Sequence, residues 1–433
     1  MTSPGPAATA DLSRRPEAQR RTLTVLVMSQ ILSGAGLAAG VTVGALLAQD
    51  MLGSTDLAGL PSALFTAGSA LAAVVVGRIS QSRGRRPGLT AGYLTGAVGS
   101  AGVVAAAVAD NPVLLFVALF VYGAGTATNL QARYAGADLA APGHHARAVS
   151  TVLVATTLGG VTGPNLAAPT GALAGHLGIP TLAGPFLLSG AAYALAALVL
   201  AVRLRPDPLL LARTLAEAKE ADAETKTDID TGTETGTITV TQPDAGGTSH
   251  GSGGVVLGAL VMVLTQLIMV AVMTMTPVHM REHGHGTAAS GLVIAVHIGA
   301  MYLPSPLTGW LVDRHGPLRI AAASGVTLLA SGVLAALAPG DSVALLALAL
   351  ALLGLGWNLG LVSGTAIITD AVPLATRART QGLVDVSIAL AGAAGGMTSG
   401  IMVAATGYPV LALTCGILAL SLLPAVAATA YRR

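Results

Sequence analysis

Long apolar runs, broken by short stretches carrying charge, Pro or Gly, follow one another from residue 23 almost to the end of the chain. Most exceed the 18 or so residues at which a run reads as a membrane crossing. They predict twelve spans, at about 23–48, 57–77, 88–109, 112–136, 148–175 and 182–203, then 254–276, 290–311, 318–338, 342–369, 380–404 and 407–430. Between the sixth and seventh, residues 204–253 include TKTDIDTGTETGTITVTQPDAGGTSHGSGG, a Thr/Gly/Asp-rich stretch without apolar period. Such a segment buries too little apolar surface to offset its ordering entropy and reads as a disordered loop. The chain thus divides into a tail at 1–22, a six-helix half at 23–203, the loop, and a second half at 254–430.

Basic residues fall at alternate breaks. Arg14, Arg15, Arg20 and Arg21 precede the first span; Arg78, Arg83, Arg85 and Arg86 follow the second, and Arg147 the fourth. Arg203 and Arg205 follow the sixth, Arg314 and Arg319 the eighth, Arg377 and Arg379 the tenth, and Arg432 and Arg433 end the chain. Only Arg281 falls on the other side. By the positive-inside rule both termini are cytoplasmic, in the inner or plasma membrane.

Composition narrows the class. Of the 433 residues 53% are hydrophobic and 10% charged, against roughly 25% charged in soluble domains. The 55 glycines suit close helix approach within a bilayer. No basic stripe carries interleaved aromatics, so nucleic acid is not an expected partner. The single Cys415 excludes an internal disulfide and reads as packing in span twelve. The first apolar run is too long for a cleaved leader core. No phosphate-binding GxxxxGK[ST] loop or clustered catalytic triad occurs, so the expectation is a secondary transporter rather than an enzyme or ATP-driven pump.

The halves match at a constant displacement of 232 residues: Gly77 with Gly309, Gly84 with Gly316, Asp138 with Asp370, Arg147 with Arg379. Parallel six-span repeats of this kind enclose a substrate site near the midplane between them. GRISQSRGRRP, with Gly77, Gly84, Arg85 and Arg86, resembles the signature loop of the major facilitator superfamily, and GWLVDRHGPLR, with Gly309, Asp313, Arg314 and Gly316, resembles its second copy. The resemblance implies the twelve-helix, all-α major facilitator fold and alternating access. The first copy departs from the pattern: Gln81 and Ser82 stand where the acid–base pair is usual, which implies a weaker latch in that half. GGVTGP at residues 159–164 is similar to the antiporter glycine–proline motif, but Leu119 stands where drug–proton antiporters carry an arginine.

Candidate chemistry concentrates between Met262 and Met301, which hold six of the 11 Met and four of the 9 His. Span seven carries Met269 and Met273, span eight His297 and Met301, each pair spaced i, i+4 on one helix face. At about 1.5 Å per residue, Met273 lies roughly 5 Å below the outer surface, Met269 and His297 both roughly 10 Å, and Met301 roughly 16 Å. His279, Met280, His283 and His285 would stand at the mouth as a capture site. Thioether and imidazole together favour Cu(I) over hard cations, and a buried His in a membrane marks function. Packing is the competing reading for each Met alone, because Met fills core gaps. The paired motifs, with HIGAMYLPSPLTGWLVDRHG from His297 to Gly316, resemble the CcoA-like (CalT) copper importers. That resemblance implies copper as the transported substrate, with no resident cofactor, bound by Met269, Met273, His297 and Met301. Riboflavin, carried by some relatives in the wider family, or a drug is the alternative cargo, by uptake or proton-coupled efflux. A membrane metal sensor without turnover is a third reading.

Asp385, five residues into span eleven, is the candidate for proton coupling, or for pairing with Arg377 or Arg379. Arg133 near the inner end of span four is placed to snorkel to water. Asp138 and Asp370, each nine residues before an Arg, read as loop-closing pairs, and Gln30, Gln266, Tyr302, Trp357 and Asn358 as candidate cavity lining. The partners expected are a small-molecule or metal-ion substrate and the lipid bilayer, with the chain a monomer.

Overall fold

A computed structural model describes residues 6–52, 60–231 and 252–430. The first half comprises α1 (Pro6–Leu52), α2 (Leu60–Arg83), α3 (Arg85–Val108), α4 (Pro112–Ala137), α5 (His145–His176) and α6 (Gly184–Arg203). The second comprises α8 (Ser252–Glu282), α9 (Thr287–Tyr302) and α10 (Ser305–His315), α11 (Pro317–Leu337), α12 (Val343–Ala371), α13 (Arg377–Thr406), and α14 (Tyr408–Ala419) with α15 (Leu422–Ala430). Ten stretches among the described residues are long and apolar enough to cross a membrane; α1 and α5 run through the other two predicted spans. Predicted span eight is broken into α9 and α10 beside Pro304, and span twelve into α14 and α15, because Pro cannot extend the hydrogen-bond ladder behind it.

Local chemistry sets the ends. Asn111 caps α4 by accepting from the Leu114 N–H at 3.0 Å, with Pro112 next in line. Gly84 and Gly316, matched by the repeat, have φ of 98° and 86° and turn the chain from α2 into α3 and from α10 into α11, a backbone conformation that glycine adopts without strain. Each half packs alike: α3 on α4, α1 on α5 and α2 on α4 are repeated as α11 on α12, α8 on α13 and α9 on α12. One apolar core lies within the first half, and that of the second half extends across the junction to Ala146, Val149 and Leu153 of α5, while residues such as Val98, Leu337 and Ile401 are exposed on the outside, where lipid would cover them.

One expectation is corrected. The loop 204–253 is not unstructured throughout: α7 (Pro208–Thr231) is a helix, and residues 232–251 lie outside the described region. Leu209, Ala212 and Leu215 repeat at helical spacing, and Ala212 and Leu215 pack with Leu139, Ala18 and Leu374. An apolar stripe with somewhere to dock outweighs the polar composition that follows it.

Apart from the α8–α9 junction beside Arg281, the junctions carrying Arg lie at one end of the bundle, the basic end. There the halves meet along two seams, α2 with α13 and α5 with α10. The two seams are related by the repeat. A Cβ on Gly77 would lie 3.0 Å from the Ala378 carbonyl, and one on Gly309 would lie 2.8 Å from that of Ala146; Ala146 and Ala378 are themselves 232 residues apart.

Candidate functional site

Around α12 the substrate-ligand candidates take up positions. This helix packs against both α8 and α9, whose mutual contact is slight, so the Met/His faces meet across α12 rather than directly. His297 is fully buried and its Nδ1 lies 2.8 Å from the Leu350 carbonyl of α12. Its Nε2 is buried without a hydrogen-bond partner. Gly354 lets α9 approach closely: a Cβ there would stand 2.5 Å from the His297 carbonyl and 3.0 Å from the Met301 nitrogen. On the other side Met262 packs at Gly364, and Gln266 accepts from the Trp357 indole N–H at 2.8 Å. Because α8 runs antiparallel to α12, this register carries Met269 to the level of Gly354 and Met273 to that of Leu350. Met273 is therefore level with His297, and Met269 with Met301, one turn away from the pairing expected by counting down from the surface. Met269 and Met301 are buried and Met273 is partly buried.

The outer group is split. His279 stacks on Tyr408 with centroids 4.4 Å apart and lies 4.3 Å from the His283 ring. His285 turns away, its Nε2 2.8 Å from the Gly340 carbonyl, and Met280 is fully buried. Only His279 and His283 come together.

Of the five polar candidates for cavity lining, two belong to the frame. Gln30 is fully buried among Tyr93, Ser33, Asn129 and Thr156, with Tyr93 donating to its Oε1 at 2.7 Å. Asn358 donates to the Met301 carbonyl and to Ser305 Oγ, both at 2.7 Å, tying the α9–α10 break to α12. Gln266, Trp357 and Tyr302 instead form one group across α8, α12 and α9, with Tyr302 edge-on to Trp357 at 5.7 Å.

The basic end holds the charged chemistry. Asp385 pairs with neither Arg377 nor Arg379. It accepts from Arg133 Nη2 at 2.7 Å and from the Tyr134 hydroxyl at 3.2 Å. Arg133 does not snorkel to water; it is fully buried, crosses the junction of the halves, and donates its Nε to Thr365 at 3.3 Å. No positive-inside argument foresees this, because the partner is 252 residues away. The loop-closing pairs are corrected too. Asp138 takes two hydrogen bonds from Arg85, at 2.7 and 3.3 Å, and Arg85 reaches Gln381 of the other half at 2.6 Å. Asp370 meets His145 at 2.8 Å, and Arg147 meets Asp313 at 3.4 Å, both across the halves. Each lone carboxylate finds a nitrogen partner on a neighbouring helix because a nine-residue arc along its own loop is the less direct route.

The signature loops work at these seams. Asp313 accepts from the Ala146 and Arg147 N–H groups at 3.1 and 3.2 Å, capping α5 from the opposite half. Gln81 accepts from the Ala378 and Arg379 N–H groups at 2.8 and 3.3 Å, and donates to the Leu374 and Ala375 carbonyls. The latch expected to be weaker is therefore kept in geometry by an uncharged amide. The 232-residue displacement that matched the glycines also places Gln81 on Asp313, and was the signal for this role. The hydrogen bonds and ion pairs through which Gln81, Arg85, Arg133, His145 and Asp313 join the halves cluster at the basic end, so the halves are closed there.

Comparison with known proteins agrees with this architecture. The sequence model of the Major Facilitator Superfamily matches residues 26–302 and, again, 257–433. The chain is 56% identical to the uncharacterized MFS-type transporter YdeG of Bacillus subtilis (strain 168), over 95% of this chain and 93% of that one. It is 31% identical to the riboflavin transporter RfnT of Brucella anthropi, over 85% of each. Among solved structures, the human organic anion transporter MFSD10 superposes with a TM-score of 0.73 at 15% identity, covering 94% of this chain and 99% of that one. The proton:xylose symporter XylE superposes with 0.69 at 17% identity, covering 94% and 95%. The chain belongs to the major facilitator superfamily and is a multi-pass secondary transporter, not an enzyme.

Proposed function

We propose that this transporter imports copper, taking the ion from the end opposite the basic one and releasing it to the cytoplasm, where both termini lie. The carrying observation is His297. A ring whose Nδ1–H is given to a backbone carbonyl presents its Nε2 lone pair, the arrangement that orients imidazole ligands in metal sites. Here that second nitrogen is buried and unpartnered, level with Met273 along α12 and four residues from Met301. Neutral soft donors hold Cu(I) without neutralising its charge fully, which suits a site that must let go. Closure at the basic end corresponds to the state that receives cargo from outside, and Asp385, tied to Arg133, is the group whose protonation would release that closure.

A second reading has its own support. Gln266, Trp357 and Tyr302 present aromatic faces and an amide across three helices, chemistry suited to a planar heteroaromatic such as riboflavin, the cargo named for the 31% identical relative. The two readings separate in one experiment. Copper and riboflavin accumulation are measured in cells deficient in each uptake system, expressing the wild type or Met269→Ala/His297→Ala at equal membrane levels. Copper accumulation by the wild type alone supports the copper site. Riboflavin accumulation by both proteins, without copper accumulation, overturns it in favour of the flavin.

A further inference from the structure

At the basic end a cavity of about 230 Å³ opens where α1, α7, the α4–α5 turn and the α12–α13 turn come together. It lies away from the cargo candidates on α8 and α9. Three cations line it, each from a different element: Arg15 of α1, Lys219 of α7 and Arg377 of α13. None of the three forms an ion pair among the described residues. Arg15 is fixed by donating Nε and Nη2 to the Leu139 and Ala140 carbonyls at 3.1 and 2.8 Å. Arg377 is fixed by Nε donating to the Val372 carbonyl at 3.2 Å. Both guanidinium groups are thus oriented by neutral acceptors, while the carboxylates of Asp138 and Asp370 act on Arg377 only at longer range, without a direct ion pair. The carboxylate in the wall, Asp138, is already engaged by both hydrogen bonds from buried Arg85, and Arg85 Nη1 is buried without a partner. Leu215, Leu374 and Ala212 supply an apolar side.

From this arrangement we propose that the cavity binds a small phosphate monoester, its phosphate held by Arg15, Arg377 and Lys219 and its carbon portion lying on Leu215 and Leu374. Planar guanidinium forks match phosphate oxygens in pairs, and several converging cations favour a dianion over a carboxylate. The cavity is completed by both halves and by the α7 helix of the connecting loop, so it exists in this form only while the basic end is closed. Its occupant binds that state selectively, and binding therefore shifts the transporter toward it. The same chemistry could be presented by a soluble ester or by a phosphorylated lipid headgroup.

The test uses the purified full chain in lipid-free detergent and in nanodiscs with or without a phosphatidylinositol phosphate. Phenyl phosphate is the soluble probe, read by calorimetry and by thermal unfolding. Wild type should bind phenyl phosphate in detergent if the source is soluble, or gain thermal stability only in the phosphoinositide nanodiscs if the source is a headgroup. In either case Arg15→Gln/Lys219→Gln should weaken the effect at least about tenfold, as expected for losing charge-assisted hydrogen bonds. Its unliganded unfolding temperature should match the wild type, which separates lost binding from lost folding; if it does not, Lys219→Gln alone, at an exposed position, gives the same comparison. No binding in either medium, or binding that the substitutions leave unchanged, overturns the site.

Discussion

Gln81 and Asp313 stand at equivalent places in the two repeats, and each caps a helix of the opposite half. Asp313 receives the Ala146 and Arg147 N–H groups at the start of α5, and Gln81 receives those of Ala378 and Arg379 at the start of α13. The equivalence is geometric, not electrostatic. Asp313, whose side chain is nearly buried, adds a negative charge to the positive end of a helix, worth up to about 2 kcal/mol in partly buried geometry. Gln81 substitutes two further bonds, to the Leu374 and Ala375 carbonyls. The cap at the α5–α10 seam is therefore charged, and the cap at the α2–α13 seam is not.

Removing either cap should loosen its own seam. Gln81→Ala and Asp313→Ala should each cost about 1 kcal/mol, the usual worth of a cap, and raise the share of molecules open at the basic end. Spin labels at Ser82→Cys and Thr376→Cys, flanking the α2–α13 seam, would report a longer mean distance in Gln81→Ala. Asp313→Asn should weaken the salt dependence of closure, and Gln81→Asp should introduce one at the other seam.

The seams also depend on close backbone approach. A side chain at Gly77 would press on the Ala378 carbonyl and Gly382, and one at Gly309 on Ala146 and Ser150. Gly77→Val and Gly309→Val should each reduce uptake several-fold at equal membrane abundance while leaving helix content by circular dichroism unchanged. Unaltered uptake in both would show that the seams tolerate separation.

Arg133 and Asp385 make a buried pair across the halves, with side chains almost without exposure. Breaking one partner of such a pair costs about 3–5 kcal/mol because the other charge is left buried alone, whereas replacing both with apolar residues is often neutral. Asp385→Leu should lower the thermal unfolding temperature markedly, and Arg133→Leu/Asp385→Leu should recover much of it. The double variant should still lose the response of uptake to an imposed proton gradient. A retained response would remove Asp385 from coupling.

His297 can be dissected. Asn at this position can still donate to the Leu350 carbonyl but lacks an imidazole nitrogen. His297→Asn should keep near wild-type thermal stability and lose copper accumulation. If stability and copper accumulation are both preserved, His297 is a packing residue.

Much of the fold was legible because a membrane demands long apolar runs and sorts arginines to one face. Those constraints act locally, so α3, α4 and α11 appear within a few residues of where hydropathy places them, and a 232-residue displacement exposes the repeat. α7 was missed because its docking surface on Leu139 and Leu374 is nowhere near it in the chain. Partners were the least legible feature. A carboxylate's pairing is set by which helix passes within 3 Å, so Asp138 went to Arg85, Asp370 to His145 and Asp385 to Arg133.

By itself, then, the sequence determined the apolar spans, the duplication, the basic end and the clustering of Met and His on α8 and α9, since periodicity and composition carry all four. Only the tertiary structure decided that α12 stands between those two helices and aligns Met273 with His297, that Gln30 and Asn358 belong to the frame, and that the halves lock through Gln81, Asp313 and Arg133. The physical reason is the same in each case: helix packing and hydrogen bonding join residues by distance in space, and one chain's pattern records only distance along itself.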